Sequence, residues 1–583
     1  MLPLVVVALV LKSVLVAVAV LDTDRYAALV ALSALPLVSL LVSPALLMRG
    51  RTRTAYLVGA DLVVTTLLLA DLVNARAFGR LLSVHMMAAA GSFEGLGSSV
   101  LAMVRWHDVL LYVDLLAAVG LTVLARRRAA RAPAPTSAAA SGPGHRLGDR
   151  LRGLRRRSTR LRTATLVAGV AAVSFGTQVV TQTSDPGMRV VTLSPLGTHL
   201  HQVYDELVDT HRELTPAERE RIGVWFARNA AYQGVAPEHE DLVGLLAGRD
   251  VYLVQVESLE QVVLGAAPFG QEVTPTLNRW RAESVVFDQV LAQTRDGSSS
   301  DGELLMLAGV YPLESGATVL RFPDNRGYTT LPRLVADDGY HPVALHGDAA
   351  TFWNRDRVFP QLGYERFVGE DDFAGGTPLG LGLADADLFD QALRELDRVP
   401  QPRFLHLITT TSHTPWELPG HLQELALPGE DATSRYLQTL RYTDGALGDF
   451  EQALADRGLL ESSAFVVVGD HEGPQKYAPA DERWLTGNEG RVPFLVHVPG
   501  MAGRIVSTPG GQVDVLPTVA HLMGIPAERW SGSVMGRTLL GEHTGSAVTP
   551  DGAVLPGADG AELLEQAYEV ADLALSGDWF LRP

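Results

Sequence analysis

The first third of the chain constrains the fold most, because it repeats a length that a lipid bilayer sets. Leu2–Leu21, Tyr26–Met48, Ala55–Val73, Val109–Ala125 and Ala164–Val180 are apolar runs. A bilayer core of about 30 Å needs roughly 20 predominantly apolar residues of helix to cross it. Five such runs crowded together predict five membrane-spanning helices. A signal peptide alone does not explain them. The arginines predict the orientation. Arg51 and Arg53 lie between the second and third runs, and the stretch from Arg126 to Arg162 is rich in arginine, with Asp149 its single acid, between the fourth and fifth. Basic loops stay on the cytoplasmic side. Both loops then place the N-terminus inside and everything after Val180 outside. Residues 1–181 are therefore expected to form a transmembrane domain with a basic cytoplasmic loop at about 126–163. Lys12, Asp61 and Asp114 fall inside predicted spans. Charge is costly in lipid, so Lys12 is expected to pair with Asp61 or Asp114.

The remainder is a different kind of chain. The 583 residues carry a formal charge of −18 and no cysteine. This excludes a thiol nucleophile, Cys-ligated zinc and disulfides, and it argues against a nucleic-acid partner. Residues 182–247 read as an extracellular connecting arm. Within it Thr215-Pro216-Ala217-Glu218 opens a helix, with Thr as N-cap and Pro at the first helical position. From about 248, short apolar runs alternate with helical patterns. Strands are expected at Val251–Val256, Ser284–Val290, His341–Leu345, Phe404–Ile408, Phe465–Val468 and Phe494–Val498. Helices are expected at Pro275–Ala282, Leu331–Asp338, Ala384–Leu396 and Tyr436–Leu454. Alternation of this kind predicts an α/β fold with a covered sheet over about 248–545. Residues 546–583 form a C-terminal tail with no assignment.

In such sheets chemistry collects beyond the carboxyl ends of the strands. Glu257 follows one predicted strand, and Asp470-His471 follows another after Gly469. Carboxylate and imidazole at strand tips suit Mn²⁺, Mg²⁺ or Zn²⁺. Gly297-Ser298-Ser299-Ser300-Asp301 precedes a helical pattern, and Ser300 with Glu303 has the spacing of a capping box. A hydroxyl at a helix N-terminus sits in positive potential, which suits attack on phosphorus or sulfur. Taken alone, the three serines read first as helix caps. His346, Trp353, Arg355 and His413 are the candidate substrate contacts: Arg forks onto phosphate, Trp walls a pocket, and His413 donates to an anionic oxygen or acts as general acid.

In order, these segments resemble the lipoteichoic acid synthase family of the alkaline phosphatase/sulfatase superfamily. The resemblance runs from the five-span N-terminus to about residue 545. It is carried by the Glu257 strand, Gly297–Glu303, His346-Gly347-Asp348 with Phe352-Trp353-Asn354-Arg355-Asp356, Ser412-His413, Gln438–Asp444, Gly469–Gly473 and Gly510–Thr518. It implies a sulfatase-like α/β domain with a central mixed, mostly parallel sheet, outside the cell membrane. It implies a polyglycerolphosphate-type transferase that takes glycerophosphate from phosphatidylglycerol, or a related lipid donor, onto an enzyme hydroxyl. A cell-envelope glycolipid or polymer then accepts it. Position by position, Glu257, Ser299, Asp470 and His471 would hold Mn²⁺ (or Mg²⁺), with Ser299 the nucleophile. His346, Trp353, Arg355 and His413 would surround the glycerophosphate. The family's nucleophile is threonine, so Ser299 is a departure, and Ser298 and Ser300 are the alternatives in register. The competing readings are a phosphoethanolamine transferase, a phosphodiesterase or sulfatase-type hydrolase, and an inactive binding homologue. The missing cysteines argue against the first. The absence of a Cys/Ser-x-Pro-x-Arg pattern at the serines argues against a sulfatase, and the full set of ligand types argues against the inactive homologue.

Overall fold

The computed structural model describes residues 2–21, 23–78, 81–84, 104–118, 120, 124, 127, 143–180, 186–209, 213–429, 431–473 and 488–581. It divides into two compact units, 1–82 with 100–205 and 83–99 with 206–583.

In the first unit, Leu2–Leu21, Ala27–Leu46 and Gly50–Arg76 are the helices long and apolar enough to cross a membrane, among the described residues. They pack through Val5, Leu9, Val16, Val30, Val38, Leu57 and Leu68. Lys12 Nζ donates to Asp61 Oδ1 at 2.9 Å, to Thr65 Oγ1 at 2.7 Å and to Asp114 Oδ2 at 2.9 Å. Both pairings open to Lys12 are thus made at once. The fourth apolar run, Val109–Ala125, behaves differently. Its described start belongs to a 3-10 segment, Trp106–Tyr112, and much of its second half lies outside the described residues. The fifth run, Ala164–Val180, is the second half of one 38-residue helix, Pro143–Val180. From Pro143 on, the arginine-rich segment therefore continues that helix rather than looping.

The second unit is built on eight strands: β1 (Asp250–Val256), β2 (Ser284–Phe287), β3 (His341–His346), β4 (Arg366–Val368), β5 (Arg403–Ile408), β6 (Ser463–Gly469), β7 (Phe494–His497) and β8 (Arg504–Val506). They lie in the order β8-β2-β7-β6-β1-β5-β3-β4. β7 is antiparallel to β6 and to β2, while the remaining pairs are parallel. The sheet is mixed and mostly parallel, as expected. Alternation along β1 feeds two cores. Val251 and Leu253 enter one with Leu305, Val466 and Leu516. Tyr252, Val254 and Val256 enter the other with Leu440, Phe450 and Phe465. The second core is covered by helices Asp385–Glu395 and Ala432–Asp456. The longer of these is opened by the Asp431 carboxylate, which accepts from Ser434 N at 2.7 Å.

The segment read as an arm opens helix Pro216–Asn229 as anticipated, with a reciprocal Thr215–Glu218 capping box. Its apolar side packs into the first core through Ile222, Trp225 and Phe226. The unassigned tail joins it there. Trp579 stacks on Phe226 at 4.8 Å, and Trp225 Nε1 donates to Leu563 O at 2.8 Å. An amphipathic helix must cover its apolar stripe, and here the last residues of the chain do so.

Candidate active site and metal centre

The register of the sheet builds the site. In the parallel pair β1–β6, Val256 lies opposite Gly469. The next residue of each strand, Glu257 and Asp470, therefore emerges side by side. Ser258 then adopts a left-handed φ of 56°, which a non-glycine residue holds only under constraint. That turn aims its N–H at Asp470 Oδ1 (2.8 Å) and its hydroxyl at Glu257 Oε1 (2.7 Å). Gln512 donates to the backbone oxygens of Gly469 and Asp470 at 2.8 and 2.6 Å and fixes the second strand tip.

Ser299 opens helix Ser299–Ala308 after Ser298, whose φ is 42°. The helix sits directly on the β6 tip: a Cβ at Gly302 would fall 2.7 Å from Asp470 O. Only glycine permits that approach. Ser299 Oγ then donates to Glu257 Oε2 at 3.2 Å and lies 3.4 Å from His471 Nε2. Ser300 Oγ turns away to Gly297 O at 2.8 Å. The capping box expected between Ser300 and Glu303 does not form. Asp301 instead accepts from Arg295 N and Gly297 N, each at 2.9 Å, and closes the turn. Glu303 is taken by Arg355, whose Nε and Nη2 donate to Glu303 Oε1 at 2.9 and 2.7 Å, with both side chains buried. A long-range ion pair has displaced a local cap.

His471 Nδ1–H donates to Glu472 O at 2.9 Å, which turns Nε2 toward Glu257 Oε1 at 3.2 Å. One ligand-type atom from each of Glu257, Asp470 and His471 lies within 4.8 Å of the others. Burial and the Glu257 charge push Asp470 up. Burial works against a charged His471, but Asp470 and Glu257 overcome it and push His471 up. Burial would also raise Glu257, yet the nearby His471 and His413 charges and the Ser258 hydroxyl hold it below the usual carboxylate range. Two buried carboxylates and one imidazole converging on one point make a place for a cation. This hard-oxygen and nitrogen donor set fits Mn²⁺, Mg²⁺ or Zn²⁺.

The other four candidates have distinct surroundings. His346, at the end of β3, donates from Nδ1 to Ile408 O at 3.0 Å, and burial keeps its pKa well down, so the ring is neutral. His413 donates from Nδ1 to Thr414 O at 2.7 Å and is close enough for its charge to act on Glu257. Arg355 carries a buried Nη1 with no hydrogen-bond partner, a donor available to an anion. Trp353 is buried with Phe352, Ala317 and Val319 in a separate apolar cluster. Sequence reasoning gave no site role to Ser258 or Asp348 and read Glu303 as a helix cap. Asp348 is buried, with Oδ2 lacking a partner. Its place beside His346 in Gly347-Asp348 was its one available signal.

Family comparison agrees with this architecture. A sulfatase family model matches residues 249–525, and a model of the lipoteichoic acid synthase N-terminal domain matches residues 1–211. Lipoteichoic acid synthase 1 of Bacillus subtilis is 27% identical over 83% of this chain and 76% of its own length. The lipoteichoic acid synthase-like protein YvgJ of the same organism is 28% identical over 88% of this chain and 82% of its own. Among solved structures, the lipoteichoic acid synthase LtaP of Listeria monocytogenes superposes with a TM-score of 0.53 at 23% identity, over 61% of this chain and 98% of that one. That last likeness speaks to the fold. Both halves are thus matched in their order, a lipoteichoic acid synthase N-terminal domain followed by a sulfatase domain, and these relatives support a phosphotransferase of the sulfatase superfamily.

Proposed function

We propose that this membrane-anchored protein is a metal-dependent phosphoglycerol transferase. It takes glycerophosphate from phosphatidylglycerol onto Ser299 and passes it to a hydroxyl of a cell-envelope glycolipid or polymer. The observation that carries the reading is the Ser299 hydroxyl aimed at Glu257 and His471 from a helix N-terminus. Glu257, Asp470, His471 and Ser299 would hold a cation, Mn²⁺ in our reading, which would supply positive charge to lower the pKa of the serine hydroxyl and offset charge on the phosphoryl oxygens. Glu257 Oε2 orients the Ser299 O–H, whose proton passes to solvent as the hydroxyl ionises. Ser299 Oγ forms the new bond to phosphorus as the bond to the diacylglycerol oxygen breaks, and His413 delivers a proton to that leaving oxygen. Arg355 Nη1 and neutral His346 face the phosphoryl group, and Trp353 walls the glycerol side. The acceptor hydroxyl then displaces Ser299 by the reverse sequence. Incubation of the detergent-purified chain with headgroup-labelled phosphatidylglycerol and Mn²⁺ tests this. Diacylglycerol release with a labelled Ser299 adduct supports it. Release from phosphatidylethanolamine instead rejects the donor.

The topology belongs to the same reading: five spans, with the catalytic unit outside. The chain has no cysteine, so single-cysteine labelling needs no background removal. A membrane-impermeant maleimide should label an exposed Asp397→Cys chain in intact cells and Ser137→Cys only after permeabilisation. The opposite pattern rejects the orientation.

Metal loading should depend on pH with a definite sign. Without metal, Asp470 is pushed up to about 7 and His471 to about 9. Both therefore hold protons near neutrality, and metal must displace them. Affinity for Mn²⁺ should rise with pH through that window, by up to about tenfold per unit for each proton displaced. It should fall more steeply below about 7, where two protons compete. Titration calorimetry across that window checks it, with Asp470→Ala as the variant that loses metal. A flat profile counts against this ligand set.

A further inference from the structure

Behind Asp470 the buried core holds three polar side chains that the site reading does not use. Gln255 on β1 and His406 on β5 point to the face where those strands otherwise carry Val251, Leu253, Phe404 and Ile408. Tyr364 closes the row just before β4. Gln255 and His406 are fully buried, and Tyr364 nearly so. Polar groups in such a core need a complete set of partners. These have one that runs in a single direction. Tyr364 O–H donates to His406 Nδ1 at 2.8 Å. That leaves the imidazole proton on Nε2, which donates to Gln255 Oε1 at 3.0 Å. The Gln255 amide nitrogen is thereby turned to the Asp470 carboxylate, 3.4 Å from Oδ2, and the same side chain hydrogen-bonds the Glu303 carboxylate. The ring of His406 is held in plane by stacking with Phe359 and Tyr364, at 6.1 and 5.9 Å between centroids.

We propose that Tyr364, His406 and Gln255 form a directional hydrogen-bond relay that positions Asp470 as a metal ligand. The inference rests on the assignment of Glu257, Asp470 and His471 to a metal. Asp470 is then gripped from two sides, by Ser258 N–H on Oδ1 and by the Gln255 amide on Oδ2. Burial keeps His406 down at about 3 and raises Tyr364 well above its usual value, so neither changes protonation near neutral pH. The relay fixes geometry and does not move protons. Outer partners of this type commonly tune metal affinity by about 10–100-fold.

The test is Mn²⁺ affinity of the full-length chain in detergent, by calorimetry, for wild type, Tyr364→Phe, Gln255→Leu and the double variant. Gln255→Leu should weaken binding by about 10-fold or more, and Tyr364→Phe by a smaller factor. The double variant should match Gln255→Leu alone, because Tyr364 acts only through the amide. Tyr364→Phe removes one oxygen and keeps the stacked ring, so it remains readable if Gln255→Leu unfolds. Affinities within twofold of wild type, or independent effects that multiply in the double variant, overturn the relay alone. A wild-type chain that binds no Mn²⁺ overturns the metal site and the relay with it.

Discussion

Ser299→Ala is expected to abolish turnover, a loss of at least about 10³-fold, while leaving metal binding and the fold largely intact. The hydroxyl donates one long hydrogen bond, 3.2 Å to Glu257, so its removal costs little stability. The three donors from Glu257, Asp470 and His471 still converge without it. The neighbouring serines separate the register. Ser300 already spends its hydroxyl on Gly297 O, and Ser298 holds the left-handed turn. Ser300→Ala should therefore keep measurable diacylglycerol release where Ser299→Ala shows none. Headgroup transfer at the wild-type rate by Ser299→Ala would remove it from the mechanism.

The largest effect on stability should come from Arg355→Met. The Arg355–Glu303 pair is buried on both sides, and Glu303 also feels the charge of Glu257. Breaking such a pair strands one charge in the interior and costs about 3–5 kcal/mol. For a domain of this size that lowers the thermal midpoint by about 10 °C. Arg355→Met combined with Glu303→Leu should recover most of the midpoint and none of the activity, since both buried charges are then gone. Thermal unfolding of the three variants in detergent decides it. A midpoint unmoved by Arg355→Met would mean that the pair contributes nothing to holding helix Ser299–Ala308.

The strands that could be read from the sequence are those buried on both faces. Val251–Val256 and Phe465–Val468 show as continuous apolar runs because helices cover the sheet on each side. The two that could not be read are its edges. In β4 and β8 only Val368 and Val506 are buried, and Arg366 and Ile505 face solvent, so three residues carry no pattern. The site was legible where a charged residue follows such a run, as Glu257 and Asp470 do. It was misread at Glu303, where local spacing satisfied a helix cap and the true partner lay 52 positions away. The relay residues were invisible for a related reason. A histidine or glutamine inside an apolar strand shows its purpose only once neighbouring strands are in register.

The turn that carries Ser299 is braced from Pro550 and Tyr568. Arg295 lies 3.7 Å over the ring of Tyr568 and donates to Pro550 O at 2.6 Å, while Tyr568 donates to Gln293 O at 3.2 Å. These partners are separated by more than 250 positions, so the brace closes a long stretch of chain through non-local contacts. A chain cut before Pro550 would keep Glu257, Ser299, Asp470 and His471 and lose the contacts that brace the turn before Ser299.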